Sequence, residues 1–404
     1  METTRRSKQQ KRPLLLAEHT PPNNGGPCRA RVLPLSELTS LDREAWLDLE
    51  QHAIGGNPFL SPHFVLPAWR HLRPESQPLL LVVSRGHEWL GCGIFESGRP
   101  CRRLPVPHLR HWHCQHGYLQ GLLLRQAEAE ATLNTFWNYL LQGSHNWHAV
   151  EFTHLPRDVG YYDLLHQSAH ARGVEMISGQ AHSRPCLWFD PRQPAEPGSG
   201  ISPQRQRSLR QSWNWLNRQG ELEFQIRREA NGLHASQEQF LELEALGWKS
   251  TEGTALKCTE AGRRFFREMT SGFACEERLF FTELASSQQA IGSVVHLLAG
   301  NEAYAFKLGW DPRFARGCPG YQMKARVAEC LTTEFPHLTL MDSCACENSF
   351  IGHVWPGRRQ IAGTLFLTSY AGMLASQLVK TFRWIRDCGR RRVPVNPSEL
   401  KGDL

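Results

Sequence analysis

The chain has 404 residues, 40% hydrophobic and 21% charged, with a mean hydropathy of -0.45. That balance fits a soluble globular protein of two or three domains and excludes a collagen-like, wholly disordered or membrane-spanning architecture. The net charge of +7 sits at the ends, since residues 1–12 carry five bases and one acid and residues 356–404 carry nine bases and three acids. The body between them is slightly acidic, so no sequence-specific nucleic-acid groove is expected, and the basic tails suit at most a weak contact with an anionic membrane surface.

In chain order, residues 1–30 are basic and broken by Pro21, Pro22, Gly25, Gly26 and Pro27, which predicts a disordered lead-in. Leu14 to Leu16 form its only apolar run, too short for the hydrophobic region of an export signal. The twelve cysteines include no Cys-x-x-Cys pair, and a reducing, cytoplasmic setting is the expectation. A first domain is expected over 31–190, with helices at 41–53, 128–141 and 161–171 and strands at 78–83, 88–95 and 147–153. Residues 191–203 crowd together Pro191, Pro194, Pro197, Gly198, Gly200 and Pro203 and read as a linker.

A second domain is expected over 204–389, followed by a basic tail at 390–404. Ser236 and Gln239 predict a capping box before Phe240, Leu243 and Leu246, in a helix that Gly247 stops. Strands at 278–284, 290–298 and 302–310, separated by Ser286-Ser287-Gln288 and Gly300-Asn301, predict successive hairpins. Pro319-Gly320 opens a further helix, and 338–342 reads as a strand. Met373, Leu374, Leu378, Phe382 and Ile385 mark a C-terminal amphipathic helix with Lys380, Arg383 and Arg386 beside them. Both halves thus run helix, antiparallel strands, helix, strand, which is a duplicated α+β order.

Particular segments then carry a family resemblance: Asn57-Pro-Phe-Leu-Ser-Pro62, Ser208-Leu-Arg210 with Asn217-Arg-Gln-Gly220, Leu243-Glu-Ala-Leu-Gly-Trp-Lys249 with Gly253-Thr-Ala-Leu256, Gly309-Trp-Asp311 and Cys318-Pro-Gly320. In this order and spacing they resemble the bacterial acetyltransferase-like proteins associated with cellulose and exopolysaccharide biosynthesis, within the GNAT acyltransferase superfamily. The resemblance implies tandem GNAT-like α+β domains, each a mostly antiparallel mixed sheet flanked by helices, distantly similar to the Fem-type peptidoglycan ligases. It further implies transfer of an acyl group, acetyl above all, from an acyl-coenzyme A thioester held by the second domain to an amine or hydroxyl acceptor, a small molecule or a saccharide. Aminoacyl-tRNA-dependent ligation and a catalytically silent binding subunit are the alternatives.

The loop from Arg313 to Gly320 precedes a helix whose first N–H groups and dipole attract anions. Arg313, Arg316, Gly317, Gly320 and Tyr321 are therefore the candidates for holding the donor's pyrophosphate, in a spacing that departs from the usual Gln/Arg-x-x-Gly-x-Gly/Ala. Asp342, Glu244 and Lys249 are the candidate catalytic groups, a carboxylate taking the acceptor's proton while the lysine orients an anionic partner. Trp248 and Trp310 are the candidate substrate surfaces. The plain alternatives are a strand-to-helix loop, a solvated ion pair beside a packed indole, and a turn-capping aspartate. His108, His111, His113, Cys114 and His116 have metal-ligand spacing, but alternation along a strand divides them between two faces, and no metal is expected.

Overall fold

The computed structural model describes residues 26–391 apart from 102–103, 144, 159, 190–200, 229–231, 248–252 and 254. The first half runs β1 (Arg29–Pro34), α1 (Ser40–Gln51), α2 (Pro62–Pro67), β2 (Leu79–Arg85), β3 (Glu88–Gly98), β4 (His108–His111), β5 (Leu123–Leu124), α3 (Ala129–Leu141), β6 (Ala149–Pro156), α4 (Tyr161–His170) and β7 (Glu175–Trp188). The second runs α5 (Pro203–Asn217), β8 (Leu222–Arg227), α6 (Leu233–Ala245), α7 (Glu260–Cys275), β9 (Leu279–Ser286), β10 (Gln289–Ala299), β11 (Glu302–Trp310), α8 (Pro319–Glu334), β12 (Leu340–Asp342), β13 (Gly357–Leu367) and α9 (Tyr370–Arg391).

Local chemistry explains many of these boundaries. Thr39 caps α1 in a reciprocal capping box with Asp42, and Ser202 accepts from the Arg205 amide at the start of α5, with Pro203 in the first turn. Ser287 and Gln288 both adopt left-handed backbone in the β9–β10 turn, as a two-residue turn matched to strand twist requires. The Ser236 capping box is not formed: α6 starts at Leu233 after a left-handed Gly232, so Ser236 and Gln239 already lie inside the helix. β1 begins within the segment read as disordered, and α5 begins at the last residue of the expected linker.

The strands form one sheet in the order β1-β2-β3-β4-β6-β13-β7-β12-β11-β10-β9-β8, with β5 pairing to β3. Only β4/β6 and β11/β12 pair in parallel among these neighbours. β13, from the end of the chain, lies between β6 and β7 of the first half, and β7 in turn pairs with β12 of the second. The two halves are thereby joined by the exchanged strand β13 and by the β7/β12 pairing.

A shared core gathers Trp46 of α1, Phe59 of the turn before α2 and Phe64 of α2 against Phe240 of α6 and Phe265 of α7. Separate cores lie under α3 and α4, around Trp137 and Phe152, and under α5 and α8, around Met323 and Trp355. Burial of such large apolar side chains is the main favourable term in the fold. Among the described residues no helix is long and apolar enough to cross a membrane.

Candidate active site

Each parallel strand pair separates soon after it forms. β4 and β6 pair only at Leu109↔Val150 and Arg110↔Glu151. Beyond that point the chain fills its own gap: Gln120 Oε1 accepts from the amides of Thr153 at 2.6 Å and His154 at 3.3 Å. The opening in the first half is therefore occupied by protein.

β11 and β12 pair from Glu302↔Leu340 to Tyr304↔Asp342, where β12 ends while β11 runs on to Trp310. Against β10 the register slips, with Val295 opposite Lys307 but His296 opposite Ala305. Phe306 is thus the extra residue of a β-bulge, a feature that re-aims side chains and ends pairing. Beside it, Lys307 Nζ lies 3.3 Å from Glu244 Oε1, and Glu244 Oε2 accepts from the Leu256 amide at 2.9 Å. Gly309 lets α6 approach this closely, since a Cβ there would stand 2.5 Å from the Glu244 nitrogen. Tyr118, from the first half, stacks edge-on to Phe306 at 5.9 Å. Burial pushes its hydroxyl pKa up, with Cys344 and Glu244 among the nearby groups.

Asp342 closes the floor of this opening and is fully buried. Arg184 of β7 and Arg359 of β13 both reach its Oδ2, at 2.8 and 3.0 Å, and its Oδ1 accepts from the Cys344 amide at 2.8 Å. Arg359 also pairs with Asp158 and Glu302 and donates to the Tyr304 hydroxyl. Burial opposes its charge, but Tyr304, Glu302, Asp342 and Asp158 outweigh burial and hold its pKa well above the ordinary value. Two guanidinium groups and an amide occupy the oxygens of Asp342, the expected base, and so tie together the three strands β7, β12 and β13.

The loop before α8 is also committed internally. Arg313 grips Asp311 with contacts of 2.6 to 3.1 Å. Arg316 lies 5.8 Å over the Trp215 ring. A Cβ at Gly317 would meet Leu216 at 2.2 Å, and one at Gly320 would meet Leu308 at 3.1 Å. Tyr321 packs against Phe350 at 4.7 Å, with Arg205 at 5.4 Å from its ring. The glycines thus serve packing, and the arginines are engaged with protein groups. Arg313 keeps most of its side chain exposed while it pairs with Asp311. Trp310 ends β11 opposite Gly292. Trp248 and Lys249 lie outside the described residues.

A cavity of about 550 Å³ adjoins the opening from the first half, bordered by His113, Gln115, His154, Arg184, Cys344 and Asn348. His113 and His154 stack at 5.5 Å. Burial lowers both pKa values, that of His154 to about 4, so both rings are neutral at pH 7. His111 packs between Phe95 and Phe152, and His116 stacks on Phe265. The histidines therefore diverge, and among the described residues no three His, Cys, Asp or Glu side chains form a metal-holding group. Another cavity of about 470 Å³, at β8 and α6 around Gln225, Arg227 and Glu283, belongs to the sheet edge, three strands from β11.

The groups missed by sequence reasoning are Lys307, Tyr118, Arg184 and Arg359. Lys307 falls between the alternating apolar positions Phe306 and Leu308, where a polar residue is ordinary, so the pattern carries no signal for it. The arginines lie in β7 and β13, neither of which the sequence analysis placed.

Residues 203–338 match the acetyltransferase (GNAT) domain family. This GNAT match ends just before β12 and contains the bulge, the α8 loop and the Glu244–Lys307 pair. No curated protein sequence matches the chain. Among solved structures it resembles a conserved protein of unknown function from Bacteroides thetaiotaomicron VPI-5482, at 10% identity over 82% of this chain and 98% of that one, with a TM-score of 0.52. FemX is similar at 9% identity over 86% and 100%, with a TM-score of 0.50. So is the C-terminal domain (DUF2156) of a protein described as a lysylphosphatidylglycerol synthetase from Agrobacterium fabrum, at 10% identity over 84% and 95%, with a TM-score of 0.50. At such identities the likeness is one of fold, and it spans both halves. The architecture is α+β, with the GNAT match in its second half.

Proposed function

We propose that the protein is an acyltransferase whose reaction centre is the opening between β11 and β12. The observation that carries this reading is the parallel β11/β12 pair that separates after Tyr304 and Asp342, with a bulge in β11 against β10 and a buried carboxylate–ammonium pair beside it. An unpaired strand edge offers backbone N–H groups that can polarise an acyl carbonyl. Glu244 is the group assigned to take the acceptor's proton, with Lys307 holding it in place. Transfer is direct, from a thioester donor such as acetyl-coenzyme A to an amine or hydroxyl, with no covalent enzyme intermediate required.

The cavity beside the opening supplies the acceptor side of the reading. Its neutral imidazole faces and the amides of Gln115 and Asn348 suit an uncharged, hydroxyl-rich molecule, and on that basis we place the acceptor among saccharides or similar cell-envelope precursors. The internally committed α8 loop favours a second donor class. A charged tRNA presents its acyl group without the coenzyme A pyrophosphate, and so does not require Arg313 and Arg316 to be released.

Calorimetric titration separates the two. Acetyl-coenzyme A at about 100 times its dissociation constant should raise stability by about 2.7 kcal/mol. Binding by an aminoacylated RNA minihelix, with none by coenzyme A thioesters, would transfer the assignment to the ligase reading, and binding of neither would leave a silent binding subunit.

A further inference from the structure

α9 packs with its small residues inward. A Cβ at Gly372 would stand 2.3 Å from the carbonyl oxygen of His148, and Ala375 and Ser376 are buried, Ala375 against Leu104, Ala149 and Leu367. Ser369, just before the helix, fastens this side: its hydroxyl lies 2.9 Å from His148 Nδ1 and accepts from the Gly372 amide at 3.1 Å. The large apolar residues are left outside. Tyr370 is 73% exposed, Leu374 48% and Leu378 56%, and their spacing of four residues lines them along one face. Turning the helix to bury them is blocked, because no larger side chain fits where Gly372 meets the His148 backbone.

Charge identifies the cover that this face suits. Residues 380–391 contain Lys380, Arg383, Arg386, Arg390 and Arg391 against one acid, Asp387, and the sequence intersperses Phe382, Trp384 and Ile385 among them. An apolar stripe continued by concentrated positive charge is the composition of helices that lie in the headgroup layer of an anionic bilayer. The 22 residues of α9 extend about 33 Å. Among the described residues no helix is long and apolar enough to cross a membrane, so the geometry is that of a helix lying along the surface. A second copy of the chain is a poorer cover, since it brings the same excess of bases and a net charge of +7 to the contact.

We propose that the Tyr370–Leu374–Leu378 face of α9 docks on an anionic lipid surface. The leucines enter the boundary between headgroups and acyl chains, where their apolar area leaves water. The tyrosine suits the same boundary, with its ring on the apolar side and its hydroxyl toward water. The bases of 380–391 supply the attraction to lipid phosphates, which acts within about 10 Å at moderate salt.

The test is co-sedimentation of the full chain with vesicles of phosphatidylcholine alone and of phosphatidylcholine mixed with phosphatidylglycerol. The protein should pellet with the mixed vesicles and stay in solution with phosphatidylcholine alone, and added salt should weaken the binding. Leu374→Ser and Leu378→Ser should each lower the affinity for mixed vesicles by about tenfold, as expected for one leucine removed from an apolar contact. Both residues are already exposed, so the urea midpoint should not move, and Leu374→Phe should bind as the parent does. Sedimentation equilibrium without lipid reads the competing occupant. A dimer that Leu374→Ser dissociates, in a chain that binds neither vesicle, would assign the face to a second copy and overturn the proposal. Binding that both serine variants leave unchanged would trace it to the bases alone and overturn it equally, as would failure to pellet with the mixed vesicles.

Discussion

At the residue scale, Glu244 and Asp342 show how similar carboxylates acquire different roles. Asp342 is surrounded by buried arginines, so Asp342→Asn leaves Arg184 and Arg359 short of a counter-charge. A loss of roughly 3–5 kcal/mol is expected in a urea titration. If stability changes by less than about 1 kcal/mol while turnover disappears, the aspartate belongs to the chemistry after all. Glu244→Gln preserves an acceptor for the Leu256 amide and should cost about a hundredfold in turnover of a confirmed acceptor. Turnover within about threefold of the parent would remove Glu244 as the base. Glu244 was legible from its position in a periodic helix. Its partner Lys307 was not, because a bulge changes which face a strand residue occupies and leaves no mark in the alternation pattern.

Elements of the second half meet through close backbone approaches. Gly309→Ala would drive a methyl group into the α6 backbone at Glu244, 2.5 Å away, and should cost at least about 1–3 kcal/mol in a thermal or urea melt. Gly247→Ala, which meets nothing within 4 Å, is the matched control. Equal stabilities would show that α6 can shift freely from β11. The β9–β10–β11 meander was legible because its apolar runs are bounded by short polar turns. β7 was harder to read, since it contains Gly179 and Pro185 and several of its residues are exposed. β13 opens with Gly357, Arg358 and Arg359, and a buried arginine in a central strand has meaning only once Asp158, Glu302 and Asp342 are brought to it. Phe265, Phe266, Met269 and Phe273 of α7 do carry helical spacing, but their surface is satisfied by the first half, a partner that no local pattern identifies.

Across the whole molecule, acid should destabilise the fold through its histidines. Burial lowers the pKa of His111 to about 3 and of His154 to about 4, whereas unfolded histidines titrate near ~6.5. Between those values the unfolded chain binds protons that the native chain does not, so stability falls as pH drops below ~6.5 and continues to fall toward the folded values. Glu302 works in the opposite direction, because burial raises its pKa despite Arg359 and its contribution is lost as pH rises. The urea midpoint of the parent should therefore be compared with that of His111→Phe, which should show a shallower acid limb. An unchanged slope would mean that His111 is protonated in the native state.

The exchange of β13 also predicts a single unfolding transition for both halves, and two well-separated calorimetric peaks would contradict it. The same exchange imposes a schedule during synthesis. When Trp188 leaves the ribosome, β6 and β7 have no strand between them, and β13 is complete only at Leu367. At ordinary elongation rates that interval is roughly 10–35 s. Throughout it the nascent first half carries two open hydrogen-bonding edges, and the cell must shield them from neighbouring chains until the last strand arrives.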